Sequence, residues 1–164
     1  MRHRADGPPS YTDAMLTVAT PKDMHDHVGA ALGPSDWLEV TQEQVDLFAD
    51  ATHDHQWIHV DPERAAQGPF GAPIAHGYLT LSLLVPLVSD IIAIERRSMG
   101  VNYGLNKVRF PAPVPVGSRV RITGTVASVD DVPGGVQVVL DLAMERDGGD
   151  KPVCVAQAVY RWYE

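Results

Sequence analysis

Residues 79–94 read LTLSLLVPLVSDIIAI, the most apolar stretch of the chain. Leu79, Leu81, Leu83, Leu84, Leu87, Val88, Ile91 and Ile92 fall all round a helical wheel, and a helix apolar on every side is a buried one. The stretch is shorter than the ~20 apolar residues a membrane span needs, and it contains Pro86 and Asp90. It therefore reads as a buried core helix over residues 77–95. An interior proline costs about 3 kcal/mol or more, so a bend or irregular turn is expected at Pro86.

C-terminal to that helix the period changes from helical to alternating. Lys107 to Phe110 lead into a turn with Pro111, Pro113 and Pro115. Val120, Ile122 and Val126 alternate with Arg119, Arg121, Thr123 and Thr125; Val136, Val138, Leu140, Leu142 and Met144 alternate with Gln137, Asp141 and Glu145. A last series runs from Val153 to Trp162. This is the two-residue period of half-buried strands. Pro133-Gly134-Gly135 and Asp147-Gly148-Gly149-Asp150 supply the hairpin turns.

N-terminal to the apolar helix, Trp37–Val40 reads as a first strand. Thr41 and Gln44 then form a capping box, and Val45, Phe48, Ala49 and Thr52 follow at helical spacing over residues 42–52. Thr20-Pro21 starts a shorter helix running to about Leu32, which Gly33-Pro34 stops. Residues 1–19 read as a loose arm and residues 20–164 as one domain. His53 to Gly77 reads as a long loop with a short helix at Pro62–Gln67, and it holds four of the seven histidines. Long loops in compact domains are usually functional or disordered. The fold class expected is α+β: consecutive hairpins make an antiparallel sheet, and the long apolar helix must be covered by it. A sheet wrapped around one central helix is the hotdog arrangement.

The formal net charge of −8, with no basic run, argues against nucleic acid, whose binding needs Lys and Arg to neutralise phosphates. An anionic ligand would need a local basic patch, for which Arg96, Arg97, Lys107, Arg109, Arg119 and Arg121 are the candidates. One cysteine, Cys154, allows no intrachain disulfide and no Cys-rich zinc site. No apolar core follows the N-terminal arginines as in a secretory signal, so a cytoplasmic protein with no membrane association is expected.

Two segments carry chemistry. In Asp54-His55-Gln56-Trp57-Ile58-His59-Val60-Asp61, Asp54 and His59 are spaced too far apart to share a helix face. In a turn they can converge and hold a water between them. One takes its proton as it attacks; the other delivers a proton to the product. A well-placed general acid or base is worth roughly 100- to 10,000-fold. In Pro73-Ile74-Ala75-His76-Gly77, Gly77 opens the apolar helix, where the first N–H groups lack internal partners. With no side chain in the way, its N–H can polarise a carbonyl or thioester oxygen.

Asp54-x-x-x-x-His59-x-Asp61-Pro62, Ala65 and Pro73-Ile74-x-His76-Gly77, with Asn102–Pro111 beyond, resemble the MaoC-like enoyl-CoA hydratases, particularly their NodN-like branch. The match spans most of residues 35–120. Gln56 and Trp57 stand where the family more commonly has Asn and Pro. The resemblance implies a hotdog fold, a homodimer, and addition of water to a trans-2-enoyl thioester, such as an acyl-CoA, to give the (R)-3-hydroxyacyl thioester. It implies Asp54 and His59 as the catalytic pair and Gly77 as the donor to the thioester carbonyl. His76, Tyr103, Asn106, Lys107 and Arg109 are candidate substrate-binding residues. His76 with His53, His55 or His59 offers nitrogens to zinc or iron, but these form no recognised helical metal motif, and neither metal nor other cofactor is expected. A thioesterase and a non-catalytic acyl-thioester-binding module are the rivals on this fold.

Overall fold

The computed structural model describes residues 15–164. Their order is β1 (Leu16–Val18), a 3-10 helix (Pro21–His27), β2 (Ala31–Leu32), β3 (Leu38–Glu39), α1 (Gln42–Thr52), α2 (Trp57–Val60), α3 (Pro62–Ala66), α4 (Gly77–Ser82), α5 (Leu84–Ile91), β4 (Ile92–Ile94), β5 (Met99–Arg109), β6 (Arg119–Val132), β7 (Gly135–Arg146) and β8 (Cys154–Tyr163).

The apolar stretch is helical, but as two short helices rather than one long one. Pro86 is the cause. In a continuous helix it would have to donate to the Ser82 carbonyl, and proline has no N–H. Breaking the helix at Leu83 puts Pro86 third in α5, within the first turn, where N–H groups have no intrahelical partner. The helix also stops earlier than residue 95. Ile92-Ala93-Ile94 turns extended and pairs in parallel with Leu16–Val18, the β-branched residues favouring the strand. The expected arm therefore gives up its last residues to the domain, with Val18 buried; the rest of the arm lies outside the described residues.

The Thr20 start is observed, with its N–H and hydroxyl both donating to the Asp23 carboxylate at 2.8 and 3.0 Å. The helix is a 3-10 helix and ends at His27, not near Leu32. Gly29, with φ of +85°, turns the chain so that its N–H meets the Val126 carbonyl at 2.8 Å, and Ala31–Leu32 becomes a sheet edge. The first strand expected at Trp37–Val40 is only Leu38–Glu39, paired with β6.

The main sheet is antiparallel in the order β2-β6-β7-β8-β5, with β3 also on β6. Its core side is Val120, Ile122 and Val126 of β6, the even-numbered residues from Val136 to Met144 of β7, and those from Cys154 to Trp162 of β8. A bulge between Val126 and Ser128 resets the phase and buries Val129. Leu84, Leu87, Val88 and Ile91 of α5 belong to the same core, each such burial contributing roughly 1.5–3 kcal/mol. The expected hairpin at Pro133-Gly134 is a two-residue turn closed by the Val132–Gly135 pair. β5 begins eight residues before the expected Lys107, at Met99, and is the outer strand beyond β8. No helix of the described residues is long and apolar enough to cross a membrane.

Candidate active site

The site begins with the two ends of α1. At its start Thr41 Oγ1 accepts the Gln44 N–H at 3.2 Å and Gln44 Oε1 accepts the Thr41 N–H at 3.0 Å, the expected capping box. At its end His53 takes a left-handed conformation, φ +63°, a position that usually falls to glycine. This turn delivers Asp54 to the loop before α2. The loop expected from His53 to Gly77 holds α2 as well as the anticipated short helix α3. α2 is a single turn that buries His59 and leaves Trp57 under the Arg64 guanidinium, 4.5 Å from the ring. Asp61 caps α3, its carboxylate accepting the Arg64 N–H at 3.0 Å.

His59 Nδ1 lies 2.6 Å from the Ile74 carbonyl. A carbonyl only accepts, so Nδ1 carries the proton and Nε2 keeps its lone pair. His76 Nε2 lies 3.0 Å from the Asp54 carbonyl and by the same reasoning donates to it. The two imidazoles stack with centroids 3.8 Å apart and 25° between planes, and Phe48 packs on His76 at 4.9 Å. Asp54, half exposed, places a carboxylate oxygen 4.0 Å from His76 Nε2. Asp54, His59 and His76 each offer a polar atom within 4.8 Å of the others. Burial pushes the His59 pKa down and His76 adds to this; the Ile74 carbonyl and Asp54 pull the other way without reversing it. His59 is thus a neutral imidazole near neutral pH, with a free lone pair: a base.

These three residues are the described group with metal-ligand atoms close together. A ligating imidazole aims its lone pair, in its ring plane, at the ion. His76 Nε2 donates to the Asp54 carbonyl, so it offers no lone pair to an ion while that bond stands. His55 is outside the group, bonded to Asp50 at 2.8 Å.

Gly77 opens α4 directly after His76. A Cβ there would meet the Phe110 ring at 3.1 Å, so only glycine leaves this helix start uncrowded. Gly77 lines a cleft of about 250 Å³ with Phe70, Ile74, Thr80, Phe110 and Val114. The remaining candidates sit elsewhere. Asn106 and Lys107 line a groove with Thr123, Thr125, Asp141 and Gln157, on the sheet face opposite the core, and Asn106 donates to Gln157 at 3.0 Å. Tyr103 is exposed beneath the Arg161 guanidinium at 3.6 Å. Arg109 bonds to the Val108 carbonyl at 2.6 Å. None of these four belongs to the Asp54–His59–His76 group or to the Gly77 cleft. Sequence reasoning did not place Phe70 or Phe110 in the site: Phe110 lay in the Asn102–Pro111 run that carries the resemblance, and Phe70 had no signal of its own. It also missed the Ile74 carbonyl, which no side chain advertises.

The sheet packed on α5 defines a hotdog fold, with the Asp54–His59–His76 group gathered at the start of α4. Comparison with known proteins narrows this. The MaoC-like domain model matches residues 23–145, and the chain belongs to the MaoC-like dehydratase family, a family of lyases. It is 52% identical over 149 residues to 3-hydroxyacyl-thioester dehydratase Z of Mycobacterium tuberculosis, covering 90% of this chain and 99% of that one. It is 57% identical over 101 residues to nodulation protein N of Rhizobium leguminosarum, covering 60% of this chain and 63% of that one. Among solved structures, the R-hydratase PhaJ1 of Pseudomonas aeruginosa superposes with a TM-score of 0.67 at 23% identity, over 84% of this chain and 82% of that one; this likeness bears on the fold.

Proposed function

We propose that this protein adds water to a trans-2-enoyl thioester, giving the (R)-3-hydroxyacyl thioester, and catalyses the reverse dehydration. The observation that carries the reading is the bond from His59 Nδ1 to the Ile74 carbonyl, which puts the proton on Nδ1 and leaves Nε2 free to act as a base in the group with Asp54 and His76. Nε2 takes a proton from water as the water oxygen bonds to C3. The C2–C3 π pair moves towards the thioester, whose oxygen gains negative charge and is met by the Gly77 N–H. The imidazolium then returns the proton to C2, so water is added with no net change in the enzyme. Asp54 holds the water's second hydrogen and stabilises the imidazolium. No cofactor takes part. The dehydratase with which the chain is half identical over nearly its whole length supports the reaction class, and the resemblance supplies the (R) configuration.

The chain works as a homodimer in this reading. β5 is the outer strand of the sheet, and Met99, Tyr103 and Leu105 on it are exposed, as are Tyr78 and Val85 on the helices. An open, apolar edge strand invites a second copy. Cytoplasmic location and a CoA or carrier-protein thioester go with the same reading. The test follows the conjugated enoyl band of crotonyl-CoA by ultraviolet absorbance, with chiral analysis of the product. Loss of the band with (R)-3-hydroxybutyryl-CoA formed supports it. Hydrolysis of saturated acyl-CoA in its place would hand the site to a thioesterase.

A further inference from the structure

We infer that His76 is a positioning residue that locks the acid–base pair to the thioester-polarising end of α4. The inference rests on the hydratase reading above and extends it to a residue that touches no reacting atom.

His76 is joined to each part of the machinery by a different kind of contact. Its Nε2–H donates to the Asp54 carbonyl at 3.0 Å. Its ring stacks on His59. Its own peptide group leads into Gly77, and its carbonyl accepts both the Thr80 N–H at 3.0 Å and the Thr80 hydroxyl at 3.2 Å. Phe48 of α1 closes the other side of the ring, and the residue is 3% exposed. Asp54 has little else to hold it: its side chain is half exposed, and its Oδ1 meets the Gln56 N–H only at 3.4 Å. The backbone just before it is in the left-handed turn at His53. The bond from His76 is therefore the tie that sets Asp54 against both His59 and Gly77.

The ring's second nitrogen makes the same point. His76 Nδ1 is buried and makes no hydrogen bond. A proton there would be a buried donor without an acceptor, costing about 1–3 kcal/mol. The neutral ring therefore carries its proton on Nε2, committed to the Asp54 carbonyl. The titratable groups facing the His59 ring are His76, from the start of α4, and Asp54, from the loop after α1; α1 itself turns the Gln42 amide to the His59 carbonyl at 2.8 Å. Removing the stacked ring uncovers part of the His59 imidazole, and burial is the main influence that disfavours its charged form.

Two variants separate the roles. His76→Gln can place an amide N–H near the Nε2 position but has no ring to stack; His76→Phe keeps a ring and loses the donor. With enoyl-CoA, His76→Phe is expected to lose about 100-fold in kcat with KM changed little, the effect of a misplacement near 1 Å, and His76→Gln is expected to recover at least a tenth of the intact rate. The acid limb of the His76→Gln rate profile moves to higher pH. The His59 ring, followed by NMR, titrates at higher pH in His76→Gln than in the intact protein, a readout independent of turnover. Retention of kcat within twofold in His76→Phe, or a His59 titration unmoved in His76→Gln, overturns the inference. If the intact protein hydrates no enoyl thioester, the proposed function falls by itself, and the titration still decides the role of His76.

Discussion

Asp54→Asn and His59→Ala should cost the same function and very different stability. Asp54 is half exposed, and its side chain makes one long contact, 3.4 Å to the Gln56 N–H. Asparagine keeps that acceptor and the size, so the melt should stay within about 2 °C, as for surface changes within ±0.5 kcal/mol. His59 is 6% exposed, bonded to Ile74 at 2.6 Å and stacked on His76. Alanine leaves the Ile74 carbonyl unpaired, costing about 1–3 kcal/mol. At about 2–4 °C per kcal/mol for a domain of this size, the melt falls roughly 2–12 °C before any cavity is counted. Both variants should lose about 100- to 10,000-fold in turnover of crotonyl-CoA, and the double variant should be little slower than the slower single, because the pair acts as a unit. Absorbance kinetics and calorimetry on the same samples test this. Turnover within tenfold of the intact protein in Asp54→Asn, or an unchanged melt in His59→Ala, would refute the reasoning.

The acid limb of kcat/KM should lie below the ordinary histidine value of 6.5, because burial lowers the His59 pKa and the neutral ring is the active form; a limb above pH 7 would count against His59 as base. Stability follows the same sign: the unfolded chain binds this proton more readily, so the contribution is full above pH 6.5 and declines as pH falls through it, which denaturant titration at several pH values reads. Gly77→Ala sets a methyl 3.1 Å from the Phe110 ring and should raise KM and lower kcat, while Phe110→Ala in the same chain should restore part of the loss. Leu105→Glu, on the open face of β5, should give a monomer by light scattering with an unchanged circular dichroism spectrum; a persistent dimer would place the interface elsewhere.

Much of this was legible because it is local. The capping box at Thr41 and the alternation of β6, β7 and β8 depend on neighbours a few residues away, and both are observed. The break in the apolar helix was half legible: Pro86 announced a disturbance, but its place at Leu83 depends on which carbonyl loses its donor. β5 was read short because an outer strand with exposed faces shows no alternation to find. β1 and β4 were missed because three-residue strands exist only through each other. At the site the motif marked the residues, while the carbonyls that set both histidine tautomers have no residue signature.

Those carbonyls explain a feature that reads as mere punctuation. The proline-rich run after Phe110 looks like a turn between strands. In the fold it is a wall: Ile74 bridges to Pro115, the Ala75 N–H donates to Val114 at 2.8 Å, and the Val116 N–H donates to Pro73 at 2.9 Å. Prolines fix φ and cannot compete as donors, so the run is a stiff row along which the Val114 carbonyl and the Val116 N–H pair with residues 73–75. Ile74, held on that row, turns its own carbonyl to His59 Nδ1. A chain segment more than fifty residues from His59 thus helps decide which of its nitrogens carries the proton. If His59 is the base proposed above, loosening the run should weaken it without touching it, and the Asp54–His59 pair is then tied to the β5–β6 connection.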